Sequence, residues 1–356
     1  MQHDHRGVLL ADIGGTTARF ACLIDEVLGP VEHLASHGYA SFADALSDFL
    51  ARRDSDSHLS AAVLAMAGVI NDERCALTNI PWIIDAAELQ GRFGFSRVRL
   101  VNDFEAIAWS LPHLGRADLY ALGGRRPGKS GAPLAVLGPG TGFGVAALVP
   151  CGDRATVLAS EGGHSTLPAG SPREGLVIEH LQQQFGHVST ERVLSGPGLE
   201  NLYRTIAKID GATVPERSAA DIVQAATNSC CPTSKAALDM FCAMLGNVVG
   251  DLALTFGARG GVFIAGGIVP RIAGYVAESQ FRERFEAKGR LRFYVEAVPV
   301  DVILNTDAAF VGLRSLAASR LEPAEISPLS SAASNASMAI SSVATRCTED
   351  RQSANR

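Results

Sequence analysis

Twice in this chain an apolar run enters a glycine-rich turn and leaves it as another apolar run, and that repetition limits the folds open to it. The first instance is Val8-Leu9-Leu10-Ala11-Asp12-Ile13, then Gly14-Gly15, then Thr17-Ala18-Arg19-Phe20-Ala21-Cys22-Leu23-Ile24. The second starts at Leu134, turns through Gly138-Pro139-Gly140-Thr141-Gly142 and leaves as Phe143-Gly144-Val145-Ala146-Ala147-Leu148-Val149. Each reads as a β-hairpin. Glycines at such a turn let backbone N–H groups approach an anion closely, because no Cβ stands in the way. Asp12 and Thr16 add a carboxylate and a hydroxyl to the first turn. A carboxylate beside a phosphate cradle is unfavourable unless a cation lies between them, which points to Mg²⁺ held by Asp12, directly or through water. Either turn alone is compatible with a simple tight turn; two in one chain suit a polyphosphate gripped from both sides.

Other glycine motifs fit less well. A dinucleotide fingerprint leads from a strand into a helix, whereas both turns here lead into strands. Gly123-Gly124-Arg125-Arg126-Pro127-Gly128-Lys129-Ser130 matches GxxxxGK[ST] literally. A phosphate-binding loop of that kind needs a helix starting at its Lys-Ser, and here Gly131 and Pro133 follow and then a strand. An exposed connection is expected.

The rest of the chain alternates helix and strand signals. Ser41 caps a helix carrying Phe42, Leu46, Phe49 and Leu50 on one stripe, Ala61 to Ala67 is a buried strand, and Asp85 to Phe93 a helix. Arg97 to Asn102 is a strand leading into a helix from Phe104 to Leu111. Ser171-Pro172-Arg173-Glu174 is a capping box with proline at the first helical position, so a helix runs to about Phe185 with Val177 and Leu181 on its inner face. Helical periodicity spans Ser234 to Phe256. Gly260 to Val269 is a buried strand broken at Gly266-Gly267, Val298 to Leu304 is the last strand, and a helix follows to about Ala318. From residue 327 onward, Ser/Ala-rich sequence offers few large apolar side chains, so a disordered tail is expected over 321–356.

At 356 residues the chain is long enough for roughly two domains. With 47% apolar residues it can build large cores, which excludes disorder of the whole. The balance of 31 basic against 37 acidic residues, with no Lys/Arg cluster, argues against a nucleic-acid surface. No long apolar span and no basic segment leading into one is visible at the start, so no membrane is expected as a partner, and the expected location is cytoplasmic. The seven cysteines show no CxxC pair and no zinc spacing; reduced, mostly buried thiols are expected.

Three further groups sit where chemistry is expected. Asn102-Asp103 lies where a buried strand meets a helix, a position at which a carboxylate either caps the helix or acts as a general base. Glu161-Gly162-Gly163-His164 combines an acceptor with a switchable donor and acceptor, suited to sugar hydroxyls. Glu191-Arg192 reads equally as an ion pair at a helix end.

Taken together, Asp12-Ile13-Gly14-Gly15-Thr16-Thr17-Ala18-Arg19, Val101-Asn102-Asp103-Phe104, Gly138-Pro139-Gly140-Thr141-Gly142, Glu161-Gly162-Gly163-His164, the stretch from Glu191 to Leu199 and the stretch from Gly261 to Arg271 resemble the bacterial glucokinase family. The resemblance runs in order from about residue 7 to 320. It implies an α/β, two-lobed actin-like ATPase fold with ribonuclease H-like lobes and a cleft between them: a small lobe of residues 1–113 plus 304–320 and a large lobe of 114–303. It implies ATP-dependent phosphorylation of glucose to glucose 6-phosphate, feeding glycolysis. Asp103 would be the base; Asn102, Asp103, Glu161, His164 and Glu191 would hold glucose. Ala11, Asp12, Ile13, Gly14, Gly15 and Thr16, with Gly138, Gly140, Thr141 and Gly142, would hold the phosphates of ATP, and Gly266 and Gly267 would lie near the adenosine. Mg²⁺ is the implied cofactor and a homodimer the implied assembly. Thr17 and Pro139 stand where the family commonly has Asn and a small residue. A broader hexose kinase, an ADP- or polyphosphate-dependent enzyme, and a sugar sensor without turnover stay open, although a sensor has no need of a base at Asp103.

Overall fold

A computed structural model describes residues 7–53, 59–77 and 80–318. The first part of the chain runs β1 (Gly7–Ile13), β2 (Thr17–Ile24), β3 (Val27–Leu28), β4 (Glu32–Ala35), α1 (Phe42–Ala51), β5 (Leu59–Met66), a small sheet of β6 (Ile70–Asn71), β7 (Arg74–Ala76) and β8 (Ile83–Asp85), then α2 (Ala86–Phe93), β9 (Arg97–Asn102) and α3 (Asp103–Ser110). The main sheet has the order β3-β2-β1-β5-β9, with β4 also on β2; β1 and β2 are antiparallel, and β5 and β9 join in parallel. Leu9, Leu10, Ala11 and Ile13 of β1 are all fully buried, as a central strand covered on both faces requires. The helices start where their caps dictate. Ser41 Oγ accepts the Asp44 N–H at 3.1 Å, and Asp85 Oδ1 accepts from Ala87 at 2.9 Å and Glu88 at 3.2 Å.

The second part continues through β10 (Leu119–Leu122), β11 (Leu134–Pro139), β12 (Phe143–Cys151), β13 (Arg154–Ser160), α4 (Pro172–Phe185), α5 (Gly196–Ile209), α6 (Ala219–Thr227) and α7 (Pro232–Thr255). It then runs through β14 (Gly261–Ile264), α8 (Ala273–Glu278), α9 (Phe281–Glu286), α10 (Arg292–Glu296), β15 (Val300–Ile303) and α11 (Ala308–Ala318). Its sheet is ordered β10-β15-β14-β11-β12-β13. Read from β13, the plan of the first sheet recurs: consecutive antiparallel strands, then two parallel ones. α7 is long and apolar enough to cross a membrane by length and composition, but 72% of its apolar window is buried inside the protein, so its apolarity is that of a core helix. Two helices tie the halves together. α11 packs on β1, β5 and α3, while α3 packs on β11 and β12. At the α3–α11 crossing a Cβ on Gly312 would lie 1.7 Å from the Ala106 carbonyl oxygen, so only glycine lets the backbones meet there.

Four sequence expectations need correction. Ser171 does cap α4, accepting the Glu174 N–H at 3.3 Å, but Glu174 does not close the box. It is 2% exposed, accepts the Gly170 N–H at 2.6 Å in place of the Ser171 one and pairs with Arg284 of α9 at 2.7 Å, a strong charged bond that turns it inward. The strand expected over 260–269 ends at Ile264, because Gly266 adopts φ +86° and Val269–Ile272 is a 3-10 turn. Among the described residues the cysteines are less buried than expected: Cys22, Cys75 and Cys242 are buried, Cys231 is intermediate, and Cys151 and Cys230 are exposed, while Cys347 lies outside those residues. The helix expected from Phe104 begins one residue earlier, at Asp103, and passes into a 3-10 turn at Leu111. The Gly123–Ser130 loop is exposed and no helix follows it, as expected. The tail expected over 321–356 lies outside the described residues.

Candidate active site

A cleft of about 810 Å³ opens between the two sheets, and both glycine turns line it together with Asn102, Asp103, Glu161, His164, Glu191, Gly266 and Gly267. Nearly every residue singled out in the sequence therefore shares one cavity. Ala11 is the exception. It is fully buried within β1, paired with Phe20 and Leu64, and only its neighbours Asp12 and Ile13 reach the cleft. The cause is its place in the strand: Ala11 is flanked by β2 and β5 and covered on both faces, whereas Asp12 and Ile13 stand at the end of β1 where the turn opens.

Asn102 and Asp103 divide the two roles that the sequence leaves open. Asn102 is the cap: its Oδ1 accepts the Phe104 N–H at 2.9 Å and the Glu105 N–H at 3.3 Å. Asp103 takes the Phe104 N–H at 2.9 Å, and its carboxyl lines the cleft. A Cβ on Gly144 would fall 1.9 Å from the Phe104 ring, so the glycine seats α3 against β12 and brings Asp103 beside the second turn. Burial, reinforced by the negative charge of Asp12 and to a smaller degree of Glu161, pushes the Asp103 carboxyl up to about 7, against the pull of its backbone hydrogen bonds. A carboxyl so poised exchanges protons near neutrality, as a general base must.

The sugar-side candidates lie on the loop after β13. Glu161 and His164 flank a 3-10 turn, with Nε2 and Oε2 3.9 Å apart and both side chains more than half exposed, so the pair is loose and open to a ligand. Glu191 does not pair with Arg192, whose guanidinium stacks on Phe185 at 4.5 Å. Its Oε2 instead accepts the Phe143 N–H at 2.9 Å.

Glycine in the second turn answers to backbone crowding. A Cβ on Gly138 would lie 2.6 Å from the Ala265 carbonyl, and one on Gly266 2.4 Å from the Pro139 oxygen. These contacts press Gly266-Gly267 against the turn. Pro139 fits without disruption, ending β11 and accepting the Ile268 N–H at 3.3 Å. In the first turn, the Gly14 N–H donates to Thr17 at 3.0 Å and Ser36 Oγ to the Gly14 carbonyl at 3.2 Å.

Several cleft residues escaped sequence reasoning. Arg19 donates to Asp12 through Nε at 3.0 Å and through Nη2, and its Nη1 reaches the Thr306 carbonyl at 2.8 Å and Asp307 at 3.3 Å. Hairpin register alone could have paired Asp12 with Arg19, since they face each other across β1 and β2. The link to residues 305–307, nearly three hundred positions away, had no local signal.

A sequence model of the Glucokinase family matches residues 9–320. The chain is 44% identical over 308 residues to a glucokinase of Nitrobacter hamburgensis, covering 86% of this chain and 96% of that protein. It is 45% identical over 312 residues to one of Paramagnetospirillum magneticum, covering 87% and 97%. The solved structure of a glucokinase from an Antarctic psychrotroph superposes with TM-score 0.79 at 35% identity, over 88% of this chain and 99% of that one. The duplicated sheets, the shared cleft and these likenesses along nearly the whole described chain lead to one assignment: the chain belongs to the bacterial glucokinase family.

Proposed function

We propose that this protein transfers the γ-phosphoryl group of ATP to the 6-hydroxyl of glucose. The observation that carries the reading is Asp103, a carboxyl with its pKa raised to about 7, at the head of α3 in a cleft lined by both glycine turns. In the proposed mechanism Asp103 accepts the 6-hydroxyl proton as that oxygen attacks in line. Glu161, His164, Glu191 and the Asn102 side chain orient the sugar. The amides of the Gly138–Gly142 and Ile13–Thr16 turns face the phosphates, and Gly266-Gly267 the adenosine.

The residues present fit a Mg²⁺ ion that arrives with the nucleotide. Asp12 lines the cleft, while among the described residues no three His, Cys, Asp or Glu side chains gather into a cage. Mg²⁺ is commonly held by one or two carboxylates plus substrate phosphates. Bound there, it would offset charge on the transferring phosphoryl group; Arg19 holds the Asp12 side chain in place.

We further propose that residues 1–113 with 304–320 act as a small lobe closing on 114–303 and excluding water from the transfer. The docking of α11 on β1, β5 and α3 supports that partition. A homodimer in the cytoplasm belongs to the same proposal, and sedimentation at working concentration tests the assembly. A coupled assay with a panel of sugars against ATP, ADP and polyphosphate tests the reaction. Glucose with ATP is expected to lead by at least about tenfold in kcat/KM; binding without turnover would favour a sensor.

A further inference from the structure

Glu191 sits where the sugar-side loop meets the second glycine turn, and it is bonded to both. Its N–H donates to the Gly163 carbonyl at 2.9 Å, and its Oε2 accepts the N–H of Phe143, the residue on which the chain leaves the turn, at 2.9 Å. Its carbonyl accepts the Ser195 hydroxyl at 2.7 Å; Ser195 caps α5, and the adjoining Gly196 N–H donates at 2.8 Å to Gly140 inside the turn. Residues 191–196 therefore hold the turn from both ends. Contact is close as well: a Cβ on Gly142 would lie 2.5 Å from Glu191 Oε2. Gly142 has no left-handed backbone, and what a side chain there would displace is the Glu191 carboxylate.

A sugar ligand alone needs none of these bonds. A carboxylate accepting a backbone N–H makes one of the stronger hydrogen bonds in a protein, and losing it frees the amide it fixed. Building on the kinase reading, we infer that Glu191 is a positioning residue for the nucleotide, its carboxylate setting the shape of the Gly138–Phe143 turn before any sugar arrives. The same side chain lines the cleft, so one carboxylate serves both substrates and links them in free energy.

Calorimetric titration of a non-hydrolysable ATP analogue with Mg²⁺, in the absence of sugar, reads this role directly. Glu191→Ala is expected to weaken the analogue by about tenfold or more, whereas Glu191→Gln, whose amide oxygen still accepts the Phe143 N–H, stays within about threefold while losing glucose affinity. Gly142→Ala, which drives a methyl group into the carboxylate, is expected to cost a similar factor in the native background. In a Glu191→Ala background it adds less than about twofold, because the atom it clashes with is gone. Unchanged analogue affinity in folded Glu191→Ala overturns the inference, as does a Gly142→Ala penalty undiminished in the double variant. Should Glu191→Ala fail to fold, unchanged affinity in Gly142→Ala alone overturns it. Glucose 6-phosphate formation by the unaltered protein is measured alongside. A protein that binds the analogue without phosphorylating glucose removes the kinase reading, while these affinities still judge Glu191; one that binds no analogue removes both.

Discussion

The two glycine turns descend from the same strand plan yet hold their shape by different means. In the first, backbone crowding is absent: Arg19 grips Asp12, Ser36 grips the Gly14 carbonyl, the Gly14 N–H reaches the Thr17 carbonyl, and the nearest atom to a Cβ on Gly14 would be a carbonyl oxygen 3.4 Å away. In the second, the Glu191 carboxylate takes one turn amide, and backbone also crowds backbone. Gly138 and Gly266 have main-chain atoms within 2.6 Å and 2.4 Å of where a Cβ would stand. The same residue type thus records two pressures: an open approach for a ligand in one turn and close packing in the other. Binding and folding should separate accordingly when each is altered.

The largest effect is expected where the two turns converge. Asp103→Asn should lower kcat by about 10² or more while sugar binding falls far less, since the amide keeps the size and part of the hydrogen bonding of the carboxyl. In the unaltered enzyme kcat should rise with pH up to about 7, as Asp103 loses its proton, and then level. The same group makes stability pH-dependent. Its folded pKa lies above the unfolded value, so the folded state holds the extra proton and stability declines as pH climbs from about 4 to about 7. Asp103→Asn escapes that decline. Its gain in stability at pH 8 over pH 4, relative to the parent, should be on the order of 1–3 kcal/mol in paired denaturant titrations.

Next in size is Asp12→Ala, expected to cost about 10²-fold in kcat/KM for ATP and to change the Mg²⁺ dependence. The second turn predicts the reverse balance. Gly138→Ala should destabilise by about 2–4 kcal/mol, seen as a lower Tm, because its methyl group meets fixed backbone. Gly14→Ala should leave Tm within a few degrees, an effect of about 1 kcal/mol at most, yet raise the KM for ATP several-fold. Equal Tm losses at Gly14 and Gly138 would erase the distinction. The smallest effect marks the decoy: Lys129→Ala, on the exposed loop between β10 and β11, should change kcat/KM for ATP by less than about threefold.

Much of this site was legible because its signals are local. Strand, glycine turn and strand form within about twenty residues, and the change from strand to helix around Asn102 and Asp103 is equally local, so periodicity found them. What stayed hidden depends on chain segments far apart. Arg19 meets Thr306 only because α11 returns to the first sheet, and Glu174 abandons its capping box for Arg284, more than a hundred positions away. Ala11, given to the phosphates by resemblance alone, lies inside β1, and the sequence around it carries no signal of that. A run of apolar residues states that a strand is buried but not which of its members end at a cleft, which follows from the neighbouring strands.

The order of synthesis acquires a meaning from the late elements. β15, near residue 300, completes the sheet that β10 joins at residue 119, and α11 covers a sheet whose first strand begins at residue 7. Neither half can finish while the ribosome still holds the last of these segments. A nascent chain halted before β15 should expose apolar surface along both sheets, engage chaperones and be cleaved readily by protease, and release of the final segments should protect both halves at once.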